Sequence, residues 1–188
     1  GYREDLEHNA VATAKTPYFD SLWNKYSHGL LEASGLHVGL PEGQIGNSEI
    51  GHMTIGAGKV IDTDLVRINK SISDNSFSEN EVFEALFNQT RKNNSKLHVL
   101  GLIGKGGVHS HQDHLLEFLK VCKNKNIEQV YLHLFTDGRD ASPYESIKDV
   151  EEIKTVIREV GIGEICSISG RYFAMDRDKR WDRVQIAY

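Results

Sequence analysis

The sequence has little cysteine, no long apolar run and no excess of positive charge. Its 188 residues include two cysteines, Cys122 and Cys166, which form no CxxC pair and lie beside apolar residues. This pattern is typical of buried free thiols in a reducing compartment. No apolar run approaches the roughly 20 residues that span a bilayer, and no signal peptide is visible. The sequence therefore predicts a cytoplasmic protein that has no membrane segment.

The charge balance argues against a general nucleic-acid binder. The formal net charge is −5, with 26% charged residues, whereas such binders are usually basic. Any positively charged site must therefore be local. Apolar residues make up 39% of the chain, enough for a packed core in one domain or two small ones. The sequence begins with Gly1 and not with methionine, and it ends at Tyr188, inside a predicted helix. Both features suggest a partial chain.

The first half of the chain predicts helices separated by glycine-rich loops. Helix starts are predicted at Thr16–Pro17, near Asn47 or Ser48, at Asp64, and at a capping box from Ser78 to Glu81. Residues 35–46 hold four glycines and a proline, which predicts a loop.

The second half alternates short apolar runs with amphipathic segments. The predicted strands are 97–103, 130–135 and 165–168, and the predicted helices are 114–122, 144–160 and 176–188. This alternation is typical of βαβ units and predicts an α/β fold with a largely parallel sheet.

The loops that follow the three strands are rich in Gly, Arg, His and Asp. In parallel sheets, ligands bind beyond the carboxyl ends of the strands. The three loops read "GKGGVHSHQDH", "TDGRDASP" and "SGRYFAMDRDKR". Guanidinium and imidazole groups gathered at one edge predict a pocket for a multiply charged anion.

Ser48, in the stretch "PEGQIGNSEIGH" from Pro41 to His52, has two interpretations. It can be a helix N-cap, as Asn and Ser both favour that position. Alternatively, it can present its hydroxyl where a helix N-terminus holds a phosphoryl group. The pattern Gly-x-Ser-x-x-Gly differs from the Gly-x-Ser-x-Gly elbow of α/β-hydrolases, so it does not suggest an esterase.

The run "HSHQDH" contains His109, His111 and His114. A zinc site is one interpretation, but no further Cys or His lies nearby at ordinary metal-ligand spacing. The favoured alternative is that one histidine shuttles a proton or binds phosphate. The other two would then cap the next helix or pack against it.

Arginines follow the second and third predicted strands. Arg139 and Asp140 lie in "DGRD", which is a turn signal but also places a guanidinium where it can clamp a phosphate or carboxylate. Charge runs such as the one after Arg171 are usually solvated helix faces. Arg171 directly follows a strand, so it fits that interpretation poorly.

Together these motifs resemble the cofactor-independent (2,3-bisphosphoglycerate-independent) phosphoglycerate mutases, and the resemblance to their N-terminal part covers nearly the whole chain. The matching stretches are "NAVATAKTPYFDSLW", "GLPEGQIGNSEIGHMTIGAGKVI", "GGVHSHQDHL", "FTDGRDASP" and "SGRYFAMDRDKRWDRV". The resemblance implies part of an alkaline-phosphatase-like metal-binding domain over residues 1–62. Residues 63–188 would be an incomplete inserted α/β phosphotransferase domain that binds substrate.

The resemblance implies that the protein interconverts 3-phosphoglycerate and 2-phosphoglycerate in glycolysis and gluconeogenesis. In that family the serine matching Ser48 is the nucleophile and forms a phosphoserine. The residues implied to bind substrate are His109, Arg139, Asp140, Arg171 and Arg177. Lys105 departs from the family pattern, since members commonly carry an aspartate there.

The family also uses two divalent metals, Mn²⁺ in many members with Mg²⁺ possible, and Ser48 is implied to bind one of them. No segment here matches the other ligands, so little or no activity is expected from this chain alone, and a monomer is expected. Two alternatives stay open: a related metal-dependent phosphatase or phosphomutase, and a non-catalytic anion-binding remnant. The motifs around His109, Arg139 and Arg171 argue against the first.

Overall fold

The computed structural model describes Arg3 and residues 5–188, which form a mixed α/β structure. The chain divides into two compact units, with the boundary between Asp62 and Thr63. The first unit contains helices α1 (Ala10–Thr13), α2 (Pro17–Lys25) and α3 (Ser48–Ala57). The second contains α4 (Asp64–Ser73), α5 (Glu81–Asn93), β1 (Leu97–Ile103), α6 (Gln112–Asn124), β2 (Val130–Thr136), α7 (Ser146–Val160), β3 (Glu164–Gly170), α8 (Arg171–Ala174) and α9 (Trp181–Ala187). Among the described helices, none combines the length and apolar character that crossing a bilayer requires.

The first unit has a small core. Helix α2 begins at Pro17 directly after Thr16, as predicted. The Thr16 hydroxyl donates to the side chain of Asp20 at 3.0 Å and makes no bond to a backbone N–H. Leu40 and Ile50 are the large apolar side chains that this unit buries most fully.

The sheet of the second unit is parallel, as predicted, with strand order β1-β2-β3. Ile103 pairs with Thr136, and Thr136 pairs with Gly170. The carboxyl ends of the three strands therefore lie side by side, and the loops that follow them leave from one edge.

Apolar side chains from the sheet and its helices form the core of the second unit. Phe87 on α5, Leu119 on α6 and Ile153 on α7 are fully buried, together with Leu132 and Leu134 of β2. Burying a side chain of this size contributes about 1.5–3 kcal/mol. This packing fixes the strand ends from which the candidate site is built.

Helix α5 starts differently from the prediction. Ser78 lies in a short 3₁₀ turn (Ser76–Glu79), and the cap is Asn80, whose side chain accepts a hydrogen bond from Val82 N at 2.9 Å. The predicted capping box is therefore wrong. Asn80 is an equally good cap that stands next to the first helical residue, so it takes the position.

The predicted start of the final helix, at residue 176, is also wrong. The chain forms α8 directly after β3 and reaches α9 only at Trp181. The carboxylate of Asp176 accepts hydrogen bonds from the amides of Asp178 and Arg180, at 3.1 and 2.9 Å. These bonds replace helical ones, so the segment before α9 forms a turn.

The two cysteines have different surroundings, although the sequence predicts that both are buried. Cys122 on α6 is buried, and burial raises the pKa of its thiol to about 12. Cys166 is exposed, so the prediction is wrong for it. Between β2 and β3 the register shifts after Leu132. Cys166 is the extra residue of this bulge and has no partner in the ladder.

Candidate active site

Ser48 is the first residue of α3, which confirms the predicted helix start. Asn47, not Ser48, is the cap: its side-chain oxygen accepts a hydrogen bond from Ile50 N at 3.0 Å. Ser48 is exposed, and its hydroxyl takes no part in the cap. The hydroxyl therefore lies at the positive end of the helix dipole, where an anion is favoured.

The loop before Ser48 is fixed by a close backbone approach. A Cβ added at Gly46 would lie 2.0 Å from the carbonyl oxygen of Ala33, so only glycine fits there. Ser34 and Ile45 form an isolated antiparallel bridge beside this contact. The requirement for glycine at residue 46 thus comes at least in part from this packing.

His52 lies beside Ser48 and is not among the site residues predicted from the sequence. Its Nδ1 is 2.6 Å from the Ser48 carbonyl oxygen and 3.2 Å from Ser48 Oγ. Because a carbonyl only accepts, Nδ1 carries the hydrogen and donates it. In this arrangement His52 cannot take the proton of Ser48 at Nδ1. The Ser-x-x-x-His spacing is the sequence signal for this contact, since residues four apart are neighbours on a helix.

The described residues do not by themselves fit a metal centre. Within Arg3 and residues 5–188, no group of three or more His, Cys, Asp or Glu side chains is placed to hold a metal ion. Catalytic zinc sites, for comparison, use three protein ligands. Ser48 can supply one oxygen ligand, and His52 directs its Nδ1 proton to a carbonyl.

In the second unit, two members of the histidine run have structural roles. His111 is the N-cap residue of α6, and its Nδ1 accepts a hydrogen bond from Asp113 N at 3.4 Å. His114 is hydrogen-bonded to Asn69 of α4 at 2.7 Å. Burial, followed by the nearby His111, lowers the pKa of His114. The prediction that part of the run caps the next helix is confirmed for His111, whereas His114 lies within that helix and bonds to α4.

Arg171 is the centre of the cluster at the carboxyl edge of the sheet. Its Nη1 donates to Asp140 Oδ2 at 2.6 Å and to Asp137 Oδ1 at 2.8 Å. The side chain of Arg171 is 13% exposed, that of Asp137 7% and that of Asp140 16%. The hydrogen bonds to Asp140 and Asp137 raise the pKa of Arg171. The structure thus joins two of the predicted site residues, Asp140 and Arg171, in a nearly buried ion pair.

Asp137 is also a member of this cluster, although the sequence predicts only a turn at this residue. Its Oδ1 also accepts hydrogen bonds from the amides of Arg139 and Asp140, at 2.9 and 3.1 Å. Burial raises the pKa of Asp137, but the bonds from Arg171 and these amides outweigh it, so the pKa lies below its ordinary value. One carboxylate therefore both shapes the turn and holds the arginine.

His109 and Arg139 surround this centre. The Nε2 of His109 lies 3.8 Å from Asp140 Oδ2, and the His109 side chain is 56% exposed. The pair is ionic only when the imidazole is protonated. Arg139 is exposed, while its backbone is held by Asp137. Both side chains can therefore reach a ligand in solution.

Arg177 is not bonded to the other predicted residues. It lies in the turn closed by Asp176, whose side chain is 1% exposed and accepts a hydrogen bond from Arg183 at 3.0 Å. The Arg177 side chain is exposed. Among the described residues, no hydrogen bond or ion pair joins it to His109, Asp140 or the other arginines.

The cluster is suited to holding an anion. A guanidinium has five N–H donors in a planar fork. The aspartates engage Nη1 of Arg171, and in the described structure its Nε and Nη2 make no hydrogen bond. Those donors, with the exposed Arg139 and His109, can bind phosphate or carboxylate oxygens.

Comparison with known proteins identifies the family. Residues 68–188 match the family model described as BPG-independent PGAM N-terminus. The chain is 51% identical over 188 residues to the 2,3-bisphosphoglycerate-independent phosphoglycerate mutase of Clostridium botulinum (strain ATCC 19397 / Type A), covering 100% of this chain and 37% of that protein. The identity to the enzyme of the same name from Staphylococcus saprophyticus is 53% over 186 residues, covering 99% of this chain and 37% of that protein.

A solved structure is also similar. It is described as "Crystal structures of Leishmania mexicana phosphoglycerate mutase at low cobalt concentration", with a TM-score of 0.71 and 31% identity. The match covers 94% of this chain and 34% of that one. The chain spans a little over a third of the length of the curated relatives it matches. Because the family model covers more than half of the sequence, the chain belongs to the 2,3-bisphosphoglycerate-independent phosphoglycerate mutase family.

Proposed function

We propose that the protein to which this chain belongs interconverts 3-phosphoglycerate and 2-phosphoglycerate. The observation that carries the proposal is the cluster of Arg171, Asp140 and His109 at the carboxyl edge of the sheet, in a chain about half identical to named mutases. A phosphoglycerate carries a phosphate and a carboxylate. Two separate anionic groups suit an edge with several guanidinium donors.

In the proposed reaction, Ser48 Oγ attacks the phosphorus of 3-phosphoglycerate and the bond from phosphorus to O3 breaks. O3 takes up a proton and Oγ loses one, which leaves glycerate and phosphoserine. The glycerate then reorients, its O2 loses a proton and attacks the phosphorus of the phosphoserine, and the bond from phosphorus to Oγ breaks. Oγ regains a proton, which leaves 2-phosphoglycerate and the free serine. No second phosphate donor is needed. The exposure of Ser48 at the start of α3 supports this role.

The proposed role of Arg171, Arg139, Arg177, His109 and Asp140 is to bind and orient the substrate. Phosphoryl transfer depends mainly on positioning and on neutralising charge. Arg171 is held by two carboxylates before any ligand arrives. A preorganised guanidinium does not have to reorganise during the reaction, which favours Arg171 as the main anchor.

We also propose that the intact enzyme uses two divalent metals, Mn²⁺ or Mg²⁺, and that Ser48 is one ligand. When bound, such a metal would neutralise phosphate charge and lower the effective pKa of the serine hydroxyl. A similar protein, the Leishmania mexicana mutase, was crystallised at low cobalt concentration. Among the described residues, no group of three or more His, Cys, Asp or Glu side chains is placed to hold a metal ion, so the remaining ligands are proposed to come from other parts of the intact enzyme.

The remaining assignments are also proposals. Residues 1–62 are assigned to an alkaline-phosphatase-like metal domain and residues 63–188 to an inserted phosphotransferase domain. A place in glycolysis and gluconeogenesis, a cytoplasmic setting and a monomeric state stay predictions. So does the expectation that residues 1–188 alone turn over little substrate. Robust turnover of 3-phosphoglycerate with Mn²⁺ by this chain would contradict that expectation.

Trapping the intermediate tests the proposal. The intact protein to which this chain belongs is incubated with 3-phosphoglycerate and Mn²⁺, quenched, and analysed by peptide mass spectrometry for a phosphoryl group on Ser48. Ser48→Ala is the control for chemistry, and Ser76→Ala is a matched control at a serine far from α3 in sequence. Phosphoserine at Ser48 supports the mutase. Binding of 3-phosphoglycerate without phosphoserine supports the anion-binding alternative, and the absence of both contradicts the proposal.

A further inference from the structure

Three side chains at the carboxyl end of β1 form a hydrogen-bonded group that the proposed reaction does not use. Lys105 Nζ donates to Glu152 Oε1 at 2.9 Å, and Gln112 Nε2 donates to Glu152 Oε2 at 2.9 Å. Glu152 lies on α7, whereas Lys105 lies in the loop that follows β1 and Gln112 begins α6. A single carboxylate thus joins the loop and both helices.

The loop in question, residues 104–111, carries His109. Gln112 N donates to the carbonyl of Gly104 at 3.0 Å, and the Ser110 hydroxyl donates to the carbonyl of Leu102 at 2.6 Å. A Cβ added at Gly106 would lie 2.7 Å from the carbonyl oxygen of Asp140. The loop is therefore attached at both ends and touches the backbone of the residue that faces His109.

We propose that Lys105, Gln112 and Glu152 are positioning residues that together brace the 104–111 loop, so that His109 is held beside Asp140. The inference rests on the proposed function, because it concerns how His109 is presented to a phosphoglycerate. None of the three residues touches the reacting atoms. Their effect is transmitted through the loop backbone.

The burial of Gln112 explains why the brace is stiff. Its side chain is 1% exposed, and its Oε1 has no hydrogen-bond partner among the described residues. Glu152 accepts from its Nε2. Losing that acceptor would leave a buried amide donor without a partner, which is unfavourable because the buried group cannot bond to water instead. Glu152 is therefore held in place, and the half-exposed Lys105 is bonded to a fixed partner.

The test compares Lys105→Met and Glu152→Met with Lys154→Met in the intact protein. Lys154 pairs with Glu151 on the same helix at 2.7 Å, without a contact to the loop. The first readout is amide hydrogen exchange of residues 105–110, which needs no ligand. The second is the Kd for 3-phosphoglycerate by calorimetry. The third is the urea midpoint.

If the brace exists, Lys105→Met and Glu152→Met should exchange faster in the loop and should raise the Kd about three- to tenfold. Lys154→Met should change each value less than about twofold. Lys105→Arg should restore both values, because it keeps the ion pair. The urea midpoints of the two lysine variants should agree, which a merely global loss of stability would not produce.

Two results would overturn the inference. The brace is refuted if amide exchange in the loop is no faster in Lys105→Met than in Lys154→Met. This holds whatever the Kd values for 3-phosphoglycerate are. Faster exchange with an unchanged Kd refutes the positioning of His109. If the intact, unmodified protein binds no 3-phosphoglycerate, the proposed function fails, and the exchange data still decide whether the brace exists.

Discussion

Replacing Arg171 by methionine tests the cluster at the sheet edge most directly. The variant leaves Asp137 and Asp140 facing each other with no cation between them, since both now bond to one nitrogen at 2.8 and 2.6 Å. Removing one partner of a buried ion pair costs about 3–5 kcal/mol. These side chains are 7–16% exposed, so we expect the lower end, about 3 kcal/mol.

The stability that Arg171→Met loses should become smaller as the pH falls. The pKa of Asp137 lies below its ordinary value despite burial, because Arg171 and two backbone amides hydrogen-bond to it. Its contribution to stability is therefore present above about pH 4, the ordinary value, and is lost as pH falls through the folded pKa. In Arg171→Met the carboxylates of Asp137 and Asp140 repel each other, and protonating one of them removes this repulsion. The difference between the two proteins should shrink between pH 7 and pH 4.

The assay is urea unfolding followed by circular dichroism at several pH values. Arg158→Met is the control, because Arg158 is exposed and, within the described part of the chain, donates only to Thr155 on the same helix, at 2.9 Å. It should change stability by less than about 0.5 kcal/mol. A loss below about 1 kcal/mol for Arg171→Met at pH 7 would refute the reasoning. So would a difference that grows as the pH falls.

Three further changes test other parts of the structure. Gly106→Ala should lower the free energy of unfolding by about 1–3 kcal/mol in urea titrations, because its Cβ would meet the Asp140 carbonyl; a neutral effect would contradict that contact. Burial, then Glu145 and Glu152, raises the pKa of Asp149. Asp149→Asn should therefore raise stability at pH 7 by about 0.5–1 kcal/mol, a gain that disappears near pH 4; a gain that persists there would contradict this cause. Iodoacetamide at about pH 8 should modify Cys166 and spare Cys122, whose thiol has its pKa raised by burial to about 12; peptide mapping that finds Cys122 modified in the folded chain would contradict its burial.

The regular elements follow from local sequence. The errors in their predicted limits come from individual side chains that cap or bound them. The apolar run Leu97–Ile103 becomes β1 with the predicted limits, because polar residues and glycine bound it. Helix α6 begins two residues before the predicted His114, since His111 acts as its cap. Imidazole is not among the usual N-cap groups. The use of His111 as the cap depends on where β1, the strand before α6, ends.

The sequence predicts where the candidate site lies, but it does not predict which of its side chains are hydrogen-bonded to each other. The rule that ligands bind at the carboxyl ends of parallel strands brings the loops of His109, Asp140 and Arg171 together, and the structure has them in contact. The sequence does not show that Asp137 is more than a turn residue. Its bond to Arg171 joins residues 34 apart, and local pattern carries no information about such a pair.

The bulge in β3 determines where this strand can change length. The ladder passes directly from the pair of Leu132 and Ile165 to that of His133 and Ser167, omitting Cys166. Deleting Cys166 would therefore keep every observed pairing and leave the start of α8 in place. Deleting a residue on the carboxyl side of the bulge would instead shift the strand end by about 3.3 Å. Natural variation in strand length should accordingly be tolerated at this one position.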